Sequence, residues 1–167
     1  MQELIHRTKD ILDNNMYLTI ATSDYNTPWI SNLYFAYDKD FNIYWYSSKE
    51  TKHSRNINNN PKVAISIFNS MAIGDDVQAV YIQAQATEIT NKLELSQALI
   101  LYAKKCFKTN FIQNKIDLNN FTKHIEDFRN SSPLRMYKAT TKRLWLLAPS
   151  KIYNGKYIDS IINVPLS

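Results

Sequence analysis

Glycine, proline and cysteine are scarce in this chain of 167 residues, which contains two, five and one of them respectively. The two glycines form neither G-x-x-x-x-G-K nor G-x-G-x-x-G, so no glycine-rich loop for nucleotide phosphates is predicted. The single cysteine, Cys106, cannot close a disulfide within the chain, and no paired Cys/His spacing indicates a metal site. The shortage of glycine and proline also excludes collagen-like and linker-like sequences.

Long apolar runs are absent as well. No segment reaches the ~20 apolar residues that cross a bilayer, and the opening MQELIHRTKDILDNNMYL lacks the apolar core of a secretory signal. With one cysteine, a reducing cytoplasm is the expected location. A composition of 44% hydrophobic and 21% charged residues predicts one globular domain. We assign it to residues 1–149, with a helical insertion at about 91–130 and a loosely structured tail at 150–167.

The net charge of +5 is unevenly distributed along the chain. Residues 1–90 contain 7 Lys+Arg and 10 Asp+Glu, whereas residues 91–167 contain 13 and 5. The cations of the second half are scattered rather than clustered. They are typical of a solvated basic surface, and a face that binds nucleic acid is the less favoured alternative.

Three segments have the apolar spacing of amphipathic helices. The first covers residues 3–14, and the second follows Asn91, which with Glu94 resembles a capping box. The third is centred on residues 118–128. The first is expected to pack on a larger part of the protein.

Strand patterns alternate with turn signals through the first half of the chain and return near its end. The predicted strands cover residues 16–22, 29–38, 43–48, 63–68, 77–89 and 135–149. The second and third are joined by a short polar turn and are expected to be antiparallel neighbours. Sequential antiparallel strands favour a small closed barrel, because closure removes exposed sheet edges. The expected fold class is therefore mainly β, a β-barrel with flanking helices.

The polar segment KETKHSRN, residues 49–56, follows a strand rich in aromatic rings. Thr51, Lys52 and His53 place a hydroxyl, an ammonium and an imidazole at the start of a short predicted helix. A phosphate dianion binds to such donors and to the positive end of a helix. A polar connecting helix without a ligand explains the same residues equally well.

Aromatic strands beside a phosphate site favour a flat, conjugated, phosphorylated ligand. A flavin ring needs an apolar slot and a few amides or hydroxyls for its pyrimidine edge. The neighbouring strands offer such groups at Asn32, Ser47, Ser48 and Gln83. Gln85 is better explained as an ordinary solvent-facing residue. By contrast, no G-x-S-x-G elbow supports hydrolase chemistry, and Cys106 is typical of a small packed residue.

Three segments together resemble the flavin-mononucleotide (FMN) binding split barrel of the pyridoxamine 5′-phosphate oxidase-like superfamily. They read LTIATSDYNTPWISNLYFAYD, IYWYSSKETKHSRNINNNPKVAISIF and AVYIQAQATEI. The resemblance implies an antiparallel split barrel whose homodimer partner completes the flavin pocket. It also implies that Tyr46, Ser47, Thr51, Lys52 and His53 contact the flavin or its phosphate. The strand with Ser31, Asn32 and Leu33 would then lie along the ring.

The chain also departs from the pattern of many relatives. They have Ser-Arg-Lys where this chain has Thr51-Lys52-His53, and an arginine where it has Ser31. The arginine-and-histidine pattern with which true pyridoxamine-phosphate oxidases hold their substrate is missing from YKATTKRLWLLAPSKIYNGKYIDS. Oxidation of vitamin B6 is therefore not expected, and Thr51-Lys52-His53 resembles a less characterised branch of the superfamily.

These observations predict a homodimeric FMN-binding flavoprotein that acts as an oxidoreductase on an unidentified small molecule. Trp145 either packs in the core or approaches the flavin edge from the second subunit. Alternatives are a non-catalytic protein that binds flavin or haem on the same barrel, and a barrel for single-stranded nucleic acid. The predicted cofactor site contains no metal ligand and consists of Ser31, Asn32, Leu33, Tyr46, Ser47, Ser48, Thr51, Lys52, His53, Gln83 and Trp145.

Overall fold

The computed structural model describes residues 1–73, 77–108 and 132–166. In these ranges the chain forms three helices, α1 (Gln2–Asn14), α2 (Lys52–Asn59) and α3 (Lys92–Lys108). The strands in chain order are β1 (Tyr17–Asp24), β2 (Thr27–Tyr34), β3 (Ala36–Tyr37), β4 (Ile43–Ser48), β5 (Lys62–Phe68), β6 (Ala79–Glu88), β7 (Leu134–Tyr153) and β8 (Lys156–Val164).

The strands form one antiparallel sheet that curls into a barrel. Its order is β2-β1-β5-β6-β7-β4-β3, and β8 pairs with β7 outside this path. The two ends of the path, β2 and β3, are separated in sequence only by Phe35, whose side chain is fully buried. The two edge strands therefore follow each other end to end, and the chain crosses from one edge of the sheet to the other at Phe35, which closes the sheet around its own core.

Strand β7 is the longest and connects the parts of the sheet. Its residues 137–146 pair with β6 along one edge. The opposite edge pairs first with β4 and then, from Leu144 onward, with β8. A register shift opposite Gln83 and Ala84 leaves Lys142 as an extra residue in β7. Such a bulge bends a strand, as closure of the barrel requires.

The barrel interior is filled by large apolar side chains that alternate along the strands. Trp45, Ile20, Ile43 and Leu144 are fully buried there. Helix α1 adds Leu12 to the same cluster. Alternation along β6 places Val80, Ile82, Ala84 and Ala86 inside and Gln83 and Gln85 outside, as the sequence pattern predicts.

A second apolar cluster lies between α3 and the outer face of the sheet. Leu95, Leu99 and Tyr102 of the helix contact Tyr34 and Met136 within it. Asn91 caps this helix, because its Oδ1 accepts from the backbone N–H groups of the residues two and three positions later. The helix predicted to follow Asn91 is thus confirmed as α3. The helix predicted at residues 118–128 lies outside the described residues.

Lys105 fastens α3 to the end of α1. Its Nζ donates to the carbonyl oxygens of Leu12, at 3.0 Å, and Asn15, at 2.8 Å. It also lies 3.4 Å from the centre of the Phe35 ring. The carbonyls at a helix end need donors, and a buried ammonium needs acceptors, so each group satisfies the other.

Two sequence predictions need correction. The segment 29–38 is not one strand: β2 pairs with β1, and only the short β3 pairs with β4. The prediction that the strands of 29–38 and 43–48 are neighbours therefore holds only for Ala36 and Tyr37, because the chain changes sheet edge at Phe35.

The segment 150–167 is not a loose tail within its described part. Its residues continue β7 and form β8, joined by Asn154 and Gly155. Both residues have positive φ, 49° and 75°, as a two-residue Asn-Gly hairpin turn requires. This dipeptide was the signal in the sequence that could have predicted the hairpin.

Candidate functional site

The candidate site begins where β4 ends and α2 starts. Thr51 is the N-cap of α2, and its Oγ1 accepts from the backbone N–H of Ser54 at 3.4 Å. Thr51 Oγ1 also donates to the carbonyl oxygen of Ser48 at 2.9 Å. A hydroxyl at this position satisfies a free N–H of the first turn, which is why the helix begins here.

His53 lies at the centre of a cluster of hydroxyl groups. Its side chain is 6% exposed, and both ring nitrogens have partners. Nδ1 lies 3.1 Å from Ser31 Oγ on β2. Nε2 lies 2.9 Å from Ser47 Oγ on β4 and 3.1 Å from Thr51 Oγ1. We call these four residues, Ser31, Ser47, Thr51 and His53, the hydroxyl cluster.

The His53 ring at the centre of the hydroxyl cluster resists protonation. Burial lowers the pKa of His53 below its usual value of 6.5, because the charged imidazolium loses hydration inside the protein. The ring is consequently neutral near pH 7. A neutral imidazole offers one N–H donor and one acceptor nitrogen, and both face hydroxyl oxygens here.

Lys52 supplies the positive charge beside this cluster. Its Nζ lies 3.7 Å from Asp24 Oδ2, at the end of β1. The two side chains are 41% and 30% exposed, so water screens their attraction. An anion at the start of α2 would meet the Lys52 ammonium and also the repulsion of the Asp24 carboxylate.

An apolar groove lies on the outer face of the sheet. It has a volume of about 440 Å³ and includes Thr19, Tyr81, Gln83, Trp145 and Ile161 among its lining residues. Trp145 faces this groove, whereas its neighbours in β7 face the core. Core packing of Trp145, one of the two sequence alternatives, is therefore wrong.

Strand β2 separates the groove from the hydroxyl cluster. Ser31 contacts His53, whereas the next residue, Asn32, accepts a hydrogen bond from Thr19 at 2.8 Å beside the groove. Consecutive strand residues point to opposite faces, so one strand contributes to both regions.

The predicted site residues thus fall into separate groups. Ser31, Ser47, Thr51 and His53 are brought together, with Ser48 and Lys52 beside them. Asn32, Gln83 and Trp145 lie on the outer face. Tyr46 is separate, with its ring 5.2 Å from that of Tyr102 on α3. Leu33 packs against the barrel core.

The sequence analysis missed two residues of this region. Trp29 donates from Nε1 to Ser31 Oγ at 3.0 Å, and Asp24 contacts Lys52. The contact of Trp29 with Ser31 could have been predicted, because the two residues are two positions apart on one face of a strand. The contact of Asp24 with Lys52 had no signal in the sequence, since the two residues are far apart along the chain.

A second cleft, of about 660 Å³, lies beside α2 and includes Lys49, Glu50, Arg55, Glu88 and Tyr137. Its charges are of both signs, and Glu88 is held by Arg135 at 3.0 Å. Nothing in this balance favours an anionic ligand there over the start of α2.

Other chemistry has little support in the described part of the chain. Cys106 is buried, and burial raises the pKa of its thiol, which disfavours a nucleophilic thiolate. Among residues 1–73, 77–108 and 132–166, no three His, Cys, Asp or Glu side chains gather as metal ligands. None of the described helices has the length and hydropathy needed to cross a bilayer.

Comparison with known proteins identifies the family. A sequence profile described as pyridoxamine 5′-phosphate oxidase matches residues 4–146, which is most of the chain. This chain belongs to the pyridoxamine 5′-phosphate oxidase family. Its resemblance to that superfamily, predicted from three segments, is confirmed.

The proteins that this chain resembles have names that refer to different ligands or to none. The UPF0306 protein PM1958 of Pasteurella multocida is 25% identical over 112 residues, 66% of this chain and 71% of that protein. An FAD-binding protein from Mesorhizobium loti superposes with a TM-score of 0.57 at 16% identity, covering 83% of this chain and 89% of the other. HutZ, the haem storage protein of Vibrio cholerae, superposes with a TM-score of 0.60 at 17% identity, covering 83% of this chain and 91% of the other.

These matches confirm the predicted fold, a mainly antiparallel split barrel with flanking helices. The similarity to the UPF0306 protein agrees with a less characterised branch of the family. At identities of 16% and 17% the solved structures establish the fold and not the ligand.

Proposed function

We propose that this family member binds FMN at a homodimer interface and acts as an oxidoreductase on a small molecule. The start of α2 would hold the phosphate, and the ring would extend past the edge strand β2 toward the outer groove of the sheet. The observation that carries the proposal is the hydroxyl cluster with Lys52 at the N-terminus of α2.

The chemistry of this region suits a phosphate monoester. Hydroxyl and ammonium donors near a helix N-terminus stabilise an anion, and the helix dipole adds to their effect. Ser47 and Lys52 are both partly exposed, so an incoming phosphate can reach them. The buried His53 would act behind these donors rather than in contact with the phosphate.

The outer groove suits a flat ring. Trp145 and Tyr81 offer aromatic surface, while Gln83 and Asn32 offer amide groups at its margin. Its open, apolar shape also explains why a second copy of the chain would complete the pocket, since an open apolar surface favours burial. The homodimer is thus part of the same proposal.

FMN would supply hydride or electron transfer when bound. The residues of this chain would bind the cofactor, orient its ring against the groove and limit access of water. Both ring nitrogens of His53 are occupied by hydroxyl groups of the chain itself, so we assign no general acid or base.

The alternative is a non-catalytic protein that binds flavin or haem on the same barrel, as HutZ is a haem storage protein. Haem iron takes an axial ligand from the protein, commonly a histidine nitrogen and in other proteins a cysteine, methionine or tyrosine side chain. In the described part of the chain His53 has both nitrogens occupied, and His6 lies on the exposed face of α1, 3.3 Å from Asp10. Neither of these two histidines lines the groove, so a haem bound there would have to take another ligand, such as Tyr81.

The test is a spectroscopic titration of the purified chain with FMN, riboflavin and haem in parallel. We expect saturable binding of FMN, weaker binding of riboflavin, and a dimer in sedimentation of the loaded protein. Haem binding without flavin binding would overturn the proposal. Oxidation of a reduced nicotinamide with an electron acceptor, above the rate with free flavin, would distinguish an enzyme from a binding protein.

A further inference from the structure

The hydrogen bonds of the hydroxyl cluster favour one direction around a neutral ring. Thr51 has one hydroxyl hydrogen, which it donates either to the Ser48 carbonyl at 2.9 Å or to Ser54 Oγ at 2.8 Å. Thr51 Oγ1 can therefore only accept from His53, across the 3.1 Å contact with Nε2. This places the ring hydrogen on Nε2.

The other side of the ring agrees with this assignment. With the hydrogen on Nε2, Nδ1 of a neutral ring is an acceptor and Ser31 must donate to it. Ser31 Oγ can do so, because it accepts from the indole N–H of Trp29 at 3.0 Å and keeps its own hydrogen. The chain of donors therefore runs from Trp29 through Ser31 to His53.

We propose that His53 is a positioning residue, held as the neutral Nε2–H tautomer, that turns the Ser47 hydroxyl into a donor for an anion at the start of α2. Ser47 Oγ accepts from Nε2–H at 2.9 Å, so its own hydrogen points away from the ring. The next oxygen, Thr51 Oγ1, is at the 3.5 Å limit of hydrogen bonding. A ligand oxygen would be the better acceptor.

The proposal deepens the proposed function and rests on it only for the identity of the anion. It gives different roles to residues that the sequence placed together as phosphate contacts. Ser47 donates to the ligand, Thr51 caps the helix, and His53 orients Ser47 from a buried position. Ser31, 22 residues from His53 in sequence, supports the ring from its other side.

The tautomer can be measured without any ligand. In the full chain with 15N-labelled histidine, long-range 1H–15N correlations at pH 7 should show His53 as a neutral ring protonated at Nε2. The assignment to His53 would come from comparison with His53→Gln. A ring protonated at Nδ1, or an imidazolium at pH 7, would overturn the proposal whether or not FMN binds.

The positioning role is tested by the ratio of FMN affinity to riboflavin affinity, which isolates the phosphate. We expect Ser47→Ala to lower this ratio by about tenfold or more, the usual effect of a hydrogen bond to a charged group. His53→Leu should have a similar effect, whereas His53→Gln, whose amide can replace the Nε2–H donor, should stay within about threefold of the parent. Ser96→Ala, on the exposed face of α3, is the control for removal of a hydroxyl.

Thermal unfolding of each variant separates loss of folding from loss of positioning. A folded Ser47→Ala or His53→Leu protein that keeps the parental ratio would overturn the role of these residues. Failure of the unaltered chain to bind FMN would overturn the proposed function instead, and the NMR result would still decide the tautomer.

Discussion

The pairing of Lys52 with Asp24 leads to a prediction about phosphate affinity that has opposite signs for the two residues. Removing the ammonium with Lys52→Ala should weaken FMN binding. Removing the carboxylate charge with Asp24→Asn should strengthen it, because the phosphate then meets no negative charge beside Lys52. Riboflavin has no phosphate and should respond little to either change.

The magnitudes follow from distance and exposure. Two unit charges 3.7 Å apart interact by roughly 1 kcal/mol at the dielectric constant of water. Measured exposed pairs contribute about 0.2–1 kcal/mol, and these side chains are 41% and 30% exposed. Asp24→Asn should therefore raise FMN affinity by up to about fivefold. Lys52→Ala loses a charge-assisted contact of about 1–2 kcal/mol, or about 5–30-fold in affinity.

The assay is quenching of flavin fluorescence in titrations with FMN and with riboflavin, at low and high salt. Lys49→Ala is the matched control, because Lys49 is an exposed lysine just before the same helix. Added salt should reduce the effect of both substitutions, since exposed charges are screened. Equal losses for the two flavins in Lys52→Ala, or weaker FMN binding in Asp24→Asn, would refute the reasoning.

Three further predictions concern folding and assembly. Lys105→Met leaves the carbonyls at the end of α1 without their buried donor and should lower the free energy of unfolding by about 2–4 kcal/mol. Calorimetry should then show a Tm that is lower by roughly 5–15 °C. The control Lys104→Met, at an exposed neighbouring position, should change the Tm little. His53 has a lower pKa in the folded protein than in the unfolded chain, so below about pH 6.5 the unfolded chain takes up a proton that the folded protein does not. The free energy of unfolding should therefore fall as the pH drops below about 6.5, by at most about 1.4 kcal/mol per pH unit, until the pKa of the folded protein is reached. Denaturant titrations should show a shallower fall for His53→Gln, and parallel curves would contradict it. Ile161→Glu places a charge in the exposed groove and should convert the proposed dimer to a folded monomer in sedimentation; a parent that is already monomeric with flavin bound would contradict the shared pocket.

Local patterns were sufficient for most of the strands and for the described helices. Alternation of apolar and polar residues depends only on the geometry of a strand, and helical spacing only on the turn of a helix. The same holds for turn chemistry, and Asn154-Gly155 shows that the hairpin of β7 and β8 was within reach of such reasoning. The sequence therefore contains the information for this hairpin.

The route of the chain through the sheet was not a local property. Phe35 belongs to a continuous apolar segment, and nothing in its neighbours indicates that the chain leaves one edge of the sheet there and joins the other. That change depends on closure of the barrel, which involves strands far apart in sequence.

At the candidate site too, some features follow from the local sequence and others depend on the tertiary structure. Residue types alone indicated hydroxyls, a lysine and a histidine near one helix start, because these residues are neighbours in sequence. Folding brings Ser31 to within 3.1 Å of His53 and buries the ring. A histidine that looked like a phosphate ligand is thereby enclosed as a neutral group, since hydration of its charge is lost only when distant strands pack around it.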